Sequence, residues 1–134
     1  MTEYLLDTNH ISPIVTIEHP LRKKILICLQ SKAVFSIPVP ALSEFLYGIS
    51  ILPRAGQNLK EWERIRNGFK YYDMNRTDAE QSAELRIALR QSGWQLGIID
   101  SLIAVIALRN DLILLTTDKD FSILSGLRQE NWRE

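Results

Sequence analysis

A single cysteine among 134 residues leaves no partner for an intramolecular disulfide and no second thiolate for a zinc cluster. Cys28 lies in the run Ile25-Leu26-Ile27-Cys28-Leu29, where a buried, inert thiol is expected. The two histidines, His10 and His19, match no zinc-ligand spacing, and both are expected on the surface or in turns. No apolar stretch approaches the roughly 18 residues of a membrane span, and Met1-Thr2-Glu3-Tyr4 lacks the basic start of a signal peptide. A cytoplasmic protein without membrane attachment is therefore expected. Neither sign of charge prevails, since sixteen basic residues balance sixteen acidic ones, and the basic excess typical of nucleic-acid binders is missing. Also missing are a Gly-x-Ser-x-Gly elbow, a Walker loop and a Cys/His pair, which removes acyl transfer and nucleoside triphosphate hydrolysis. Repeats, low-complexity tracts and linkers are lacking too, so residues 1–134 are expected to form one domain.

What is present is an alternation of apolar strands and amphipathic helices. Tyr4-Leu5-Leu6, Val34-Phe35-Ser36-Ile37 and Leu112-Ile113-Leu114-Leu115 are short continuous apolar runs, the pattern of strands buried on both faces. Lys70 to Met74 is a further candidate strand. Pro20 opens one helix, and Pro40 is placed at the first position of another that runs to Ile49. A polar helix is expected from about Leu59 to Phe69. Thr77 and Glu80 have the spacing of a capping box that starts a long helix ending near Gly93, and Ile98 to Leu108 is apolar nearly all round. This order predicts an α/β fold, a central, mostly parallel sheet flanked by helices.

In such sheets ligands bind beyond the carboxyl ends of the strands. Asp7 ends the first strand, and Asp118 with Asp120 follows the last long one. Asp100 stands at the start of the most apolar helix, where exposed amides favour an anion. Glu44 falls fifth in the helix opened by Pro40, too deep for a capping box. Each acid alone has a plain structural reading: Asp100 as a helix cap, Asp7-Thr8-Asn9 as an Asx turn, Asp118-Lys119-Asp120 as a loop before a short helix, Glu44 as a solvated helix residue. Taken together, carboxylates from separate elements at one sheet edge repel one another unless a cation compensates them, and oxygen ligands select Mg²⁺ or Mn²⁺.

The order Leu5-Leu6-Asp7-Thr8-Asn9, Ser43-Glu44-Phe45-Leu46-Tyr47-Gly48, Gly97-Ile98-Ile99-Asp100-Ser101-Leu102-Ile103-Ala104 and Leu115-Thr116-Thr117-Asp118-Lys119-Asp120-Phe121 resembles the PIN-domain nucleases, most of all the VapC toxins of bacterial toxin–antitoxin pairs. The resemblance extends through Arg90-Gln91-Ser92-Gly93 to the closing Gly126-Leu127 and Asn131-Trp132. It implies a three-layer sandwich in which Asp7, Glu44, Asp100 and Asp118 are the acidic positions, Thr116 supplies a hydroxyl and Asn9 supports the site. Many VapC chains carry Asn where this one has Thr117 and Asp118, which leaves open whether Asp118 or Asp120 touches metal; Asp118 is favoured. The implied activity is Mg²⁺-dependent hydrolysis of RNA by a metal-activated water, leaving a 5′-phosphate. The implied substrate is a structured transfer or ribosomal RNA. The implied partners are a VapB-like antitoxin and a second copy of the chain.

An acidic site must still attract a polyanion. Residues 53–76 carry six basic side chains against three acidic ones, with Trp62, Phe69, Tyr71 and Tyr72 interleaved. This segment, with Arg64 and Arg66, is the candidate path for RNA, although such aromatics also serve interfaces. Two other readings stand beside the toxin: a housekeeping PIN-type RNA-processing nuclease, and a receiver-like module that binds Mg²⁺ without cleaving.

Overall fold

A computed structural model describes residues 2–133. Five strands form one all-parallel sheet in the order β3-β2-β1-β4-β5: β1 (Glu3–Leu6), β2 (Val34–Pro38), β3 (Lys70–Tyr72), β4 (Ile113–Leu115) and β5 (Gln129–Glu130). Six helices flank it in a three-layer sandwich: α1 (Thr8–Ile11), α2 (Pro20–Gln30), α3 (Val39–Ser50), α4 (Ala55–Ile65), α5 (Arg76–Gln91) and α6 (Ile98–Arg109). Among the described residues no helix is long and apolar enough to cross a membrane. The strand order is not the 2-1-3-4-5 of receiver-like domains, which removes that reading at the level of fold. β5 went unseen in the sequence because its two polar residues carry no apolar signal; pairing with β4 makes them a strand.

The chain leaves β1 to one side through β2 and β3 and returns to its other side as β4 and β5, so the direction of strand order reverses between β1 and β4. The crevice outside the carboxyl ends at such a reversal is where this class of sheet binds ligands. β1 and β4 are dry there: Leu5, Leu6, Leu114 and Leu115 have no exposed surface. On α6 every residue from Ser101 to Ala107 is buried, which explains its near-continuous apolar sequence. Phe45 meets Trp62 edge-on and Trp62 stacks on Phe69, with centroids 5.0 and 6.2 Å apart, an aromatic cluster that seats α4 against α3.

Several local expectations shift for identifiable reasons. Val39 rather than Pro40 is the first residue of α3, so Glu44 is sixth in the helix. The polar helix begins at Ala55, directly after the Pro53-Arg54 turn, and yields to a 3-10 turn, Arg66–Gly68, before Phe69 becomes extended. The box that starts α5 is Asn75 with Asp78, not Thr77 with Glu80. Asn75 Oδ1 accepts from the Asp78 N–H at 2.8 Å and Asp78 Oδ2 accepts from the Asn75 N–H at 3.0 Å. A distant partner selects it: Arg109 at the end of α6 grips Asp78 with Nε to Oδ1 at 2.7 Å and Nη2 to Oδ2 at 2.9 Å. Cys28 is half-buried rather than enclosed.

Asp78 has no exposed surface, and Arg109 together with the Asn75 cap holds its carboxyl below the usual carboxylate range against the cost of burial. Removing the cation strands a buried charge, which costs far more than the pair itself contributes. Arg109→Met is expected to lower the unfolding free energy by about 3 kcal/mol in urea melts. A loss under about 1 kcal/mol would show that the cap alone satisfies Asp78.

Candidate active site

Asp7 lies one residue beyond β1, and its backbone N–H still donates to the Leu115 carbonyl at 3.0 Å, so the sheet itself places it. Its side chain is 5% exposed and serves as the N-cap of α1. Oδ1 accepts from the Thr8 N–H at 2.8 Å, while Oδ2 accepts from the Thr116 hydroxyl at 2.7 Å and from Asn9 Nδ2 at 3.1 Å. Oδ2 thus has both lone pairs engaged, and Oδ1 keeps one for a further ligand. Burial raises the Asp7 carboxyl; the Thr116 and Thr8 bonds oppose this, and the charges of Asp118 and Glu44 add to it.

Glu44 enters from α3 and is exposed, with Oε1 accepting from the Thr8 hydroxyl at 2.6 Å. Asp100 is the third residue of α6 and caps nothing; Gly97 occupies the cap position without a side-chain bond. Asp100 is therefore free for chemistry while lying in the first turn, where the helix dipole favours its charge. Asp118 caps the 3-10 turn Lys119–Ile123 by accepting from the Asp120 N–H at 2.9 Å, and its own N–H donates to Thr116 Oγ1 at 3.0 Å. The loop reading of Asp118-Lys119-Asp120 thus describes its backbone, and its carboxylates point to the site as well.

Asp100, Asp118 and Asp120 each offer an oxygen, and the three lie within 4.8 Å of one another. Burial first, then the charges of Asp7, Asp118, Glu44 and Asp120, push Asp100 up to about 6. Five carboxylates from four separate segments thus share one field at the strand-order reversal. Asp120 stands inside this trio together with Asp118, the favoured of the two, and Asp118 also acts on Asp7. The donor set is oxygen alone, with a carboxyl whose ionised form awaits a counter-charge, and that chemistry fits a hard divalent cation.

Arg64 and Arg66 are not brought to this cluster. Arg66 sits in the 3-10 turn just before Lys70, at the amino end of β3, and Arg64 pairs with Glu61 at 3.0 Å, which Arg22 also engages. Trp62 and Phe69 are buried in the core and present no stacking face, a correction to their place in the RNA path. His10 is likewise corrected: it has no exposed surface, and burial lowers its pKa to about 4. His19, as expected of a turn histidine, caps α2 by accepting from the Leu21 N–H at 3.1 Å. Thr8 and His10 are site neighbours that sequence reasoning missed; their place inside Asp7-Thr8-Asn9-His10 was the one available signal.

A family model for the PIN domain matches residues 4–127. The chain belongs to the PIN-domain family. This PIN domain is similar to the structure of VapBC2 from Rickettsia felis bound to a promoter DNA fragment, with 26% identity, 98% of this chain and 99% of that one covered, and a TM-score of 0.83. DNA-bound VapBC from Salmonella typhimurium matches at 25% identity, with coverage of 98% and 99% and a TM-score of 0.80. VapC20 from Mycobacterium tuberculosis, described as a sarcin–ricin loop cleaving toxin, shares the fold at 13% identity, with coverage of 91% and 95% and a TM-score of 0.67. No curated protein matches the sequence. The PIN domain is thus of the VapC type.

The raised carboxyls fix a sign for stability against pH. An unfolded Asp ionises near ~3.9, so between there and about 6 the folded, metal-free protein holds more protons at Asp100 than the unfolded chain does. Stability from this group is therefore greatest at low pH and falls as pH rises through about 6. In chelator at about pH 7.5, Asp100→Asn is expected to stabilise the fold by on the order of 1 kcal/mol, a figure discounted for solvent screening. Urea melts that place the variant level with the parent at that pH would show that the carboxylates do not oppose one another.

Proposed function

We propose that this PIN domain is a Mg²⁺- or Mn²⁺-dependent endoribonuclease and the toxin of a toxin–antitoxin pair. The observation that carries the reading is the convergence of Asp7, Glu44, Asp100, Asp118 and Asp120 at the strand-order reversal of a chain similar to VapBC toxins. Asp7, Asp100 and Asp118 would hold the cation, with Asp120 beside them. A bound Mg²⁺ supplies charge neutralisation for the phosphoryl oxygens and activation of a water for in-line attack. Glu44, whose exposed carboxylate accepts from the Thr8 hydroxyl, would take a proton from the attacking water. Thr116 and Asn9 hold Asp7 Oδ2 in one orientation, which leaves the lone pair on Oδ1 for the ion. The substrate class is a structured RNA, transfer or ribosomal, in keeping with VapC20, a sarcin–ricin loop cleaving toxin that shares the fold. The VapBC likenesses support a VapB-like antitoxin as partner, and a second copy of this chain would complete the assembly.

The deciding experiment incubates the protein with total cellular RNA and Mg²⁺ or Mn²⁺ and sequences the new 5′-phosphate ends. Discrete ends are expected from the parent protein, and Asp7→Asn should reduce them by at least ~100-fold, the scale of one group at a reacting centre. Ends that persist in Asp7→Asn or in chelator would sink the assignment; their complete absence would favour a non-cleaving metal-binding module.

For the approach of RNA, Arg66 is exposed and has no ion-pair partner among the described residues, whereas Arg64 is shared with Glu61. Replacing both with Gln is expected to flatten the plot of log affinity against log salt by about 0.7, one phosphate contact. An unchanged slope would put the RNA path on another face.

A further inference from the structure

His10 is fully enclosed behind the site and has no part in the chemistry above. The backbone N–H of Trp132 donates to its Nε2 at 3.0 Å, which makes Nε2 the acceptor and leaves the single proton of the neutral ring on Nδ1. Nδ1 stands 2.7 Å from Asn9 Oδ1 and donates to it. The Thr117 N–H donates to that same oxygen at 3.1 Å. Two donors on Oδ1 decide which way the Asn9 amide faces, and Nδ2 is left to donate to Asp7 Oδ2 at 3.1 Å. The donors therefore run in one direction, from the Trp132 backbone through His10 and Asn9 to the Asp7 carboxylate.

The segment that begins this relay is itself anchored. The Trp132 ring packs edge-on against Tyr4 and Phe35, with centroids at 4.9 and 5.7 Å, and Lys24 Nζ lies 4.1 Å from its centroid. Arg133 Nη1 donates to the Asn9 carbonyl at 3.0 Å, so residues 132 and 133 hold the turn after β1 at two points. Both ring nitrogens are engaged, as full burial requires, and the partner that takes the ring's one proton is Asn9, which itself donates to Asp7.

We propose that His10 is a positioning residue for Asp7, acting through Asn9, and that the Trp132 amide sets its tautomer while Arg133 latches the same segment to the Asn9 carbonyl. The proposal rests on the reading of Asp7 as a metal-binding carboxylate. Groups that orient a metal ligand from behind are typically worth about 10–100-fold in metal affinity.

The test titrates Mn²⁺ into the full chain, following free Mn²⁺ by electron paramagnetic resonance, with circular dichroism as the check on folding. His10→Phe and Asn9→Ala are each expected to weaken Mn²⁺ binding about tenfold. Because they lie on one path, the double variant should be no weaker than Asn9→Ala alone. His10→Asn, which can keep a donor near the Nδ1 position, should recover most of the loss, and His10→Gln, which keeps an acceptor for the Trp132 N–H but no donor near Nδ1, should lose as much as His10→Phe and stands in should that variant not fold. Mn²⁺ affinity unaltered in folded His10→Phe or His10→Gln, or losses that multiply in the double variant, would overturn the positioning role alone. A parent protein that binds no Mn²⁺ would overturn the metal reading and this proposal with it.

Discussion

Mutual repulsion among the carboxylates at the end of β1 and β4 is the constraint around which the rest of this molecule is arranged. Asp100 is raised to about 6 by burial and by four neighbouring acids, and Asp7 is raised while nearly enclosed. Left to itself such a cluster would splay outward or hold its protons. It stays together because each acid is anchored by a different part of the fold: Asp7 by the sheet ladder, Asp100 by the buried helix α6, Asp118 by the turn that follows β4 and Glu44 by α3. The stabilisation that offsets the repulsion is generated elsewhere, in the dry strands and the aromatic cluster of Phe45, Trp62 and Phe69. A site of like charges therefore needs a rigid scaffold beneath it, and the uniformly apolar character of α6 is part of that scaffold.

The contacts closest to the acids are made by uncharged groups. Thr8, Asn9 and Thr116 donate to carboxylates without adding a cation that would compete with a metal. A lysine or arginine in their place would neutralise the field that makes the cluster a cation site. His10 fits the same rule, since its ring is buried and neutral. Basic side chains are instead spent on structure, Arg22 and Arg64 on Glu61 and Arg109 on Asp78. Full occupation of Asp7 Oδ2 by two donors leaves a single direction for a ligand on that residue.

Much of the fold was legible because its signals are local. Continuous apolar runs marked β1, β2 and β4, and the all-round apolar stretch marked α6, since strands and helices buried on every side have no polar face to encode. Expectations failed where a long-range partner chose among local options. Asn75 displaced Thr77 as the cap of α5 because Arg109, 31 residues from Asp78, reaches the box that contains it. Asp100 looked like a cap but lies two residues inside the helix, and the aromatics of residues 62 and 69 looked like a nucleic-acid surface but fill the core. Exposure is not written in residue type.

The sequence by itself determined which acids would meet. For Asp7, Asp118, Asp120 and Asp100, position at the ends of apolar strands and at the start of a buried helix follows from periodicity, and a parallel sheet gathers its strand ends at one edge, while Glu44 enters from inside α3. Only the tertiary structure decided how those acids are held. The Thr116 hydroxyl reaches Asp7 across 109 positions, the Thr8 hydroxyl reaches Glu44 across 36, and the Trp132 amide reaches His10 across 122. Hydrogen bonds of that span depend on angles and on distances good to a few tenths of an ångström. Those are set by the packing of the whole core, which no short stretch of chain specifies.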